Sequence, residues 1–294
     1  MSMRPSKMAI AYDFDGTLAP GNMQEHEFIP ELGIGNKEFW MEANQLAAKN
    51  DMDGILAYMQ LMLNKAREAN ISIKRESFEN YGKSIRFFDG VESYFDRINE
   101  YAKAKNLIIE HYIISSGLRE FVSGTSIAKY FKRIFASGFK YNDEGIAEWP
   151  AVAINYTNKT QYLYRINKGI YNSWDDTLIN KYVPDHLRPI PFSDMIYIGD
   201  GETDVPAMKM IKYREGTAIA VYNPEIRHSG SGTSTSREIC LELIKDNRAD
   251  YIAPADYREG KTLDTILKRL IDRIAAEHEL NDIKLNQISN LYDM

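Results

Sequence analysis

The chain has 294 residues, 44% of them hydrophobic, and a formal charge of −6, enough apolar material for one large α/β domain or for a core with a smaller insert. No apolar run approaches the roughly 18 residues of a membrane span. The acidic balance, without a long basic tract, argues against nucleic acid or an anionic membrane as a partner.

Arg4 and Lys7 lead straight into a strand with no cleavable signal pattern, so a cytoplasmic location is expected. The lone Cys240 has no companion for a disulfide or a thiolate metal cluster and is expected to be a small buried side chain. Residues 8–12 form an apolar run that ends in Asp13-Phe14-Asp15-Gly16-Thr17-Leu18. Two carboxylates one residue apart fall on the same side of an extended strand, and the glycine lets the backbone turn away. In an open parallel sheet, ligands bind beyond the carboxyl ends of the strands, so Asp13 and Asp15 are placed where chemistry is done. A polar turn that merely closes a strand would use the same residue types.

From residue 19 to about 88 the pattern is helical. Phe39, Trp40, Ala43, Leu46 and Ala47, then Ile55, Met59, Met62, Leu63 and Ala66, recur at helical spacing and predict a small bundle with an apolar core. Glu25, Glu27, Arg67 and Arg86 are its charged residues with a chance of facing the crevice, although such residues are usually solvated. Asp89-Gly90 is a turn signal that returns the chain to the core.

A helix carrying Phe95, Ile98 and Tyr101 precedes a second strand, 107–114, which ends in Ser115-Ser116-Gly117. Hydroxyl and amide groups there suit phosphate oxygens, and the same residues equally suit a helix cap. Residues 134–137 predict a third strand and 141–145 a hairpin turn. The run 151–154 then leads to Lys159 at a helix start, where the helix dipole disfavours a cation; Lys168, before Gly169, competes for the same role. A further strand, 195–198, ends in Gly199-Asp200-Gly201-Glu202-Thr203-Asp204, two acids four apart with Pro206 following in the first helical turn. Hard oxygen donors of this kind suit Mg²⁺. Residues 217–221 and 251–253 predict the last strands, 229–236 a Gly/Ser-rich connection, and 263–274 a one-faced helix that packs on the sheet.

Asp13-Phe14-Asp15-Gly16-Thr17-Leu18, Ser115, Lys159 and Asp200 to Asp204, in that order, resemble the four motifs of the haloacid dehalogenase superfamily, over residues 8 to about 222. The resemblance implies a Rossmann-like parallel α/β core (1–18 and 89–294) with a small inserted α-helical cap (19–88), as in the phosphoserine-phosphatase-like branch. It implies a Mg²⁺-dependent phosphatase acting on a small phosphomonoester. Asp13 would be the nucleophile, Asp15 the acid and base, and Asp13, the Asp15 carbonyl, Asp200 and Asp204 the metal site. Ser115, Ser116, Gly117 and Lys159 would bind phosphate, and Glu27 and Arg86 would reach the leaving group from the cap. A phosphomutase keeps the same four motifs, and a non-catalytic phosphate-binding protein on this fold would be expected to have lost an acid; the second acid argues against dehalogenation.

Overall fold

The computed structural model describes residues 5–225 and 236–292. Most of the Gly/Ser-rich connection at 229–236 therefore lies outside the described residues. Seven strands form one sheet: β1 (Ser6–Tyr12), β2 (Leu107–Leu118), β3 (Phe131–Tyr141), β4 (Ala147–Val152), β5 (Met195–Gly199), β6 (Thr217–Tyr222) and β7 (Tyr251–Pro254). Their order is β4-β3-β2-β1-β5-β6-β7, and every neighbouring pair is parallel except β3 with β4, the hairpin. The chain leaves β1 first toward β2 and later returns to its other side as β5. That reversal opens a crevice at the carboxyl end of β1.

Strand periodicity divides the core in two. Met8, Ile10 and Tyr12 of β1 face one cluster with Ile196, Ile198, Ile219 and Val221, while Ala9 and Ala11 face the other with Met195, Tyr197, Ala218 and Ala220. Helices Lys159–Lys168, Val205–Tyr213 and Ser236–Lys245 cover the second face, the last burying Cys240. Helices Val91–Lys103 and Thr262–Tyr292 cover the first. The latter continues well past the 263–274 expected from its apolar face, over 31 residues, about 46 Å.

Between β1 and Val91 lie the helices Phe28–Glu31, Asn36–Asn50, Gly54–Glu68 and Arg75–Gly82. They are not an isolated bundle. Phe28, Phe78 and Tyr81 surround Phe121 of the helix Arg119–Ser123, and Phe78 stacks on Phe139 of β3 with ring centroids 5.4 Å apart. Backbone bonds from Arg75 N to the Gly145 carbonyl and from Ala147 N to the Ile73 carbonyl, both 2.9 Å, join the hairpin to the insert. Gly82 and Gly124 permit this approach, because a Cβ on either would overlap a carbonyl oxygen of the facing segment, Phe121 or Glu79.

Candidate active site

β1 delivers Asp13 to the crevice with its amide still bonded to the Ile198 carbonyl of β5 (2.9 Å), so the nucleophile candidate is fixed by the sheet. The following turn is closed by Leu18 N to the Phe14 carbonyl (2.9 Å) and Gly16 N to the Ala19 carbonyl (2.7 Å). Gly16 has φ +73° and lies against the Asp200 carboxylate, where a side chain would not fit.

Three charged groups then meet in little space. Lys159 Nζ lies 2.9 Å from Asp13 Oδ2 and 2.7 Å from Asp204 Oδ1, and all three residues are 5% exposed or less. Asp204 also accepts from the Tyr197 hydroxyl (2.6 Å) and from Asp200 N (3.0 Å), so both its oxygens are engaged by the protein. Asp13 Oδ1 accepts from Phe14 N (2.7 Å). Asp15 is held apart from this cluster, with Oδ1 accepting from Met23 N at 2.8 Å. The structure thus brings Lys159 into the site and leaves Lys168 outside it, bonded to the Ile179 and Lys181 carbonyls.

Burial dominates the electrostatics. It raises Asp13 to about 6, against the opposing pull of Lys159, and the Asp204 charge adds to the rise. Burial also holds Asp15 well above the carboxylate range, reinforced by Asp13. Asp200 is raised for the same reason, with Asp204 and Asp13 adding repulsion. Burial lowers Lys159, but Asp13 and Asp204 outweigh it and keep the ammonium charged. One acid in contact with a cation and a second that burial makes hold its proton more tightly is the separation expected of a nucleophile and a general acid.

Ligand oxygens of Asp13, Asp200 and Asp204 all lie within 4.8 Å of one another. This donor set fits a small divalent cation, because burial leaves adjacent carboxylates with more negative charge than one lysine balances. Asp200 fits best as a ligand, as no hydrogen bond to its carboxylate is seen among the described residues, whereas Asp204 is occupied in orienting Lys159 and the Asp200 backbone.

Ser115, 1% exposed, and Ser116 line the same cavity of about 560 Å³ as Asp13, Asp15 and Asp200. The helix expected after Ser115 opens only at Arg119, so Ser115, Ser116 and Gly117 do not form its N-terminus. β2 runs on to Leu118 with a register shift between Ser115 and Leu118, and Gly117 N donates back to Ser115 Oγ (2.9 Å), so that amide is spent inside the protein. Glu27 and Arg86 are not brought to the site either. Both are exposed and neither lines the cavity; the chain enters the insert with Met23, Phe28 and Ile29 turned inward and returns on Ile85 and Phe88, leaving the charges outside. The insert contributes Gly21, Asn22, Asp53, Gly54, Ile55 and Phe88 instead. Sequence reasoning missed Asp53 and Tyr197. Asp53-Gly54 before an apolar helix was a readable cap signal, whereas Tyr197 sits among apolar strand residues and carried none.

The sequence model of haloacid dehalogenase-like hydrolases matches residues 10–209, which include every motif just described. The chain belongs to this family. An uncharacterised protein of Borreliella burgdorferi is 30% identical over 291 residues, covering 90% of this chain and 96% of that one. Among solved structures, a phosphoserine phosphatase captured as an analogue of its phospho-aspartyl intermediate superimposes with a TM-score of 0.51 at 17% identity, over 90% of this chain and 99% of that one. A haloacid dehalogenase-family hydrolase of Salmonella enterica serovar Typhi gives 0.50 at 20% identity, over 76% of this chain; the chain spans 65% of that protein's length. At these identities the structural likeness shows a shared fold. The protein is accordingly a haloacid dehalogenase-like hydrolase with a seven-stranded, mostly parallel sheet, and none of its described helices is long and apolar enough to cross a membrane.

Proposed function

We propose that the protein is a phosphatase that hydrolyses a small phosphomonoester through an aspartyl-phosphate on Asp13, with residues 19–88 as the cap over the crevice. The observation that carries this is the division between Asp13, in contact with Lys159, and Asp15, held 2.8 Å from the Met23 amide as a raised, screened acid. Asp13 attacks phosphorus, forming one P–O bond as the bond to the leaving oxygen breaks, and Asp15 gives its proton to that oxygen. Asp15, now ionised, takes a proton from water as the water oxygen attacks phosphorus and the P–O bond to Asp13 breaks, returning its electron pair to the Asp13 carboxylate. Phosphate leaves, and both acids return to their starting states. Lys159 keeps Asp13 oriented and supplies positive charge beside it, and the Ser115 hydroxyl offers a donor for a phosphoryl oxygen. Asp13 and Asp200, with the Asp15 main-chain carbonyl, would hold Mg²⁺, which when bound supplies charge neutralisation for the phosphoryl oxygens.

The test is phosphate release from a broad panel of phosphomonoesters with Mg²⁺ and with EDTA, followed by acid quenching with labelled substrate. Metal-dependent release with label retained on Asp13 is expected. Release from Asp13→Asn at the wild-type rate would sink the covalent reading.

A further inference from the structure

What the cap selects rests on the phosphatase reading above and is decided at Asp53. Asp53 Oδ1 accepts from Ile55 N (2.8 Å) and Leu56 N (3.2 Å), capping the helix Gly54–Glu68. Its other oxygen accepts from Asn155 Nδ2 (2.9 Å), on the core loop that ends at Lys159. Asn155 has no freedom to turn its amide over. Its Oδ1 accepts from Thr157 N (3.1 Å), Thr157 Oγ1 (2.9 Å) and Asn158 N (3.1 Å), which commits Nδ2 to the cap.

Asp53 is thus a carboxylate held in one place, lining the cavity and half-buried. Two oxygens offer about four acceptor sites, and the three donors above leave capacity for one from a ligand. Asn22, which also lines the cavity, donates one Nδ2 proton to Glu25 Oε1 (2.7 Å), and its side-chain carbonyl is an acceptor. Among the described residues the cavity wall carries the acids Asp13, Asp15, Asp53 and Asp200 and no lysine or arginine. The leaving group of a phosphoryl ester held by the catalytic cluster therefore lies in a cavity with no cationic side chain among its described lining residues, where Asp53 offers a fixed anionic acceptor. Hydroxyl or ammonium groups find partners there, while a carboxylate meets a fixed like charge.

We propose that Asp53 determines specificity by accepting a hydrogen bond from the leaving group, selecting alkyl phosphates that carry a hydroxyl or ammonium and rejecting those with a second anion. The experiment measures kcat/KM of the full chain with Mg²⁺ on glycerol 1-phosphate, phosphoethanolamine, 2-phosphoglycolate and p-nitrophenyl phosphate. Wild type should favour one or both donor-bearing substrates over phosphoglycolate by about 10-fold or more, and the stronger of the two identifies the donor. Asp53→Asn should lower the preferred substrate by about 10- to 100-fold relative to the aryl phosphate, the worth of one charge-assisted hydrogen bond, and should raise phosphoglycolate relative to both. Asp53→Ser, which keeps a capping oxygen, should shift the ratios the same way. Asn155→Ala removes the cross-link but keeps the carboxylate, and should preserve the order of preference. Equal turnover of phosphoglycolate by wild type, or one common factor for all four substrates in both Asp53 variants, would overturn the assignment and leave Asp53 a helix cap alone. A wild-type protein inactive on every substrate, the aryl phosphate included, would overturn the phosphatase reading and this inference with it.

Discussion

At the carboxyl end of the sheet, Lys159 bridges Asp13 and Asp204 while all three are almost fully buried. In the insert above it Glu27, Arg67 and Arg86 are exposed, and the buried side is Phe28, Phe39, Met59, Met62 and Phe78. The two regions are stabilised by opposite means. The insert gains from apolar burial, roughly 25 cal/mol per Å², whereas the sheet end concentrates charges whose desolvation opposes folding and which only their partners make tolerable. Strain of that kind persists where a reaction requires it.

The sharpest way to test the contrast is Asp13→Asn. The substitution keeps shape and removes the attacking oxygen's charge together with a metal ligand, so kcat should fall on the order of 10⁴-fold or more while the fold is retained. Circular dichroism and a burst-phase assay would check both halves. A variant that unfolds would mean that Asp13 stabilises the sheet end, contrary to the comparison.

A second test uses pH and metal removal. Asp13 is raised in the folded chain from 3.8 to about 6, so the fold binds a proton that the unfolded chain releases. The stability from this group is present below the unfolded value and is lost as pH rises through about 6; Asp200 shifts in the same direction. In EDTA, the thermal midpoint should therefore fall between about pH 4 and pH 7, and Asp200→Asn should lie a few degrees above wild type at pH 7, at roughly 2–4 °C per kcal/mol. Mg²⁺ should reverse the order by stabilising wild type and not the variant, whose activity should be about 100-fold lower. A midpoint for Asp200→Asn at or below wild type in EDTA would remove the idea of an unbalanced carboxylate pair.

The contrast also explains how much was legible in the sequence. Asp13, Asp15 and Asp200 follow strand ends and Lys159 opens a helix, where local residue types signal a turn, and the structure draws them to one crevice with Ser115, three residues inside the end of β2. The continuous burial of β1, β5 and β6, read as apolar runs, and the turn at 142–145 follow from the same short-range rules. What sequence could not supply were contacts set by tertiary packing. Charge and nearness to the hinge suggested Glu27 and Arg86, but side-chain direction depends on which helix face packs against Phe121 and Phe139. Ser115-Ser116-Gly117 resembled a helix cap because a strand with a register shift leaves no mark in composition.

A third test addresses the insert's packing. Gly124→Ala places a methyl into the Glu79 carbonyl oxygen, and its φ of −79° is one that alanine accepts, so the effect is steric. Overpacking of this sort costs about 1–3 kcal/mol, visible as a lowered thermal midpoint with the metal response intact. If activity vanished with no change in the midpoint, the insert would be coupled to chemistry and not only packed beside it.

The smallest effect is expected at the two residues that local charge first brought forward. Glu27→Ala and Arg86→Ala remove exposed side chains that do not line the cavity. Exposed charges contribute within about 0.5 kcal/mol to stability, and neither is in reach of a bound leaving group. Each variant should match wild type within about two-fold in kcat/KM on both the preferred substrate and an aryl phosphate, with thermal midpoints within a degree or two. Selective loss on the preferred substrate at either position would show that the insert rearranges on binding to turn that face inward, and the division between a reactive sheet end and a passively packed insert would then hold only without substrate.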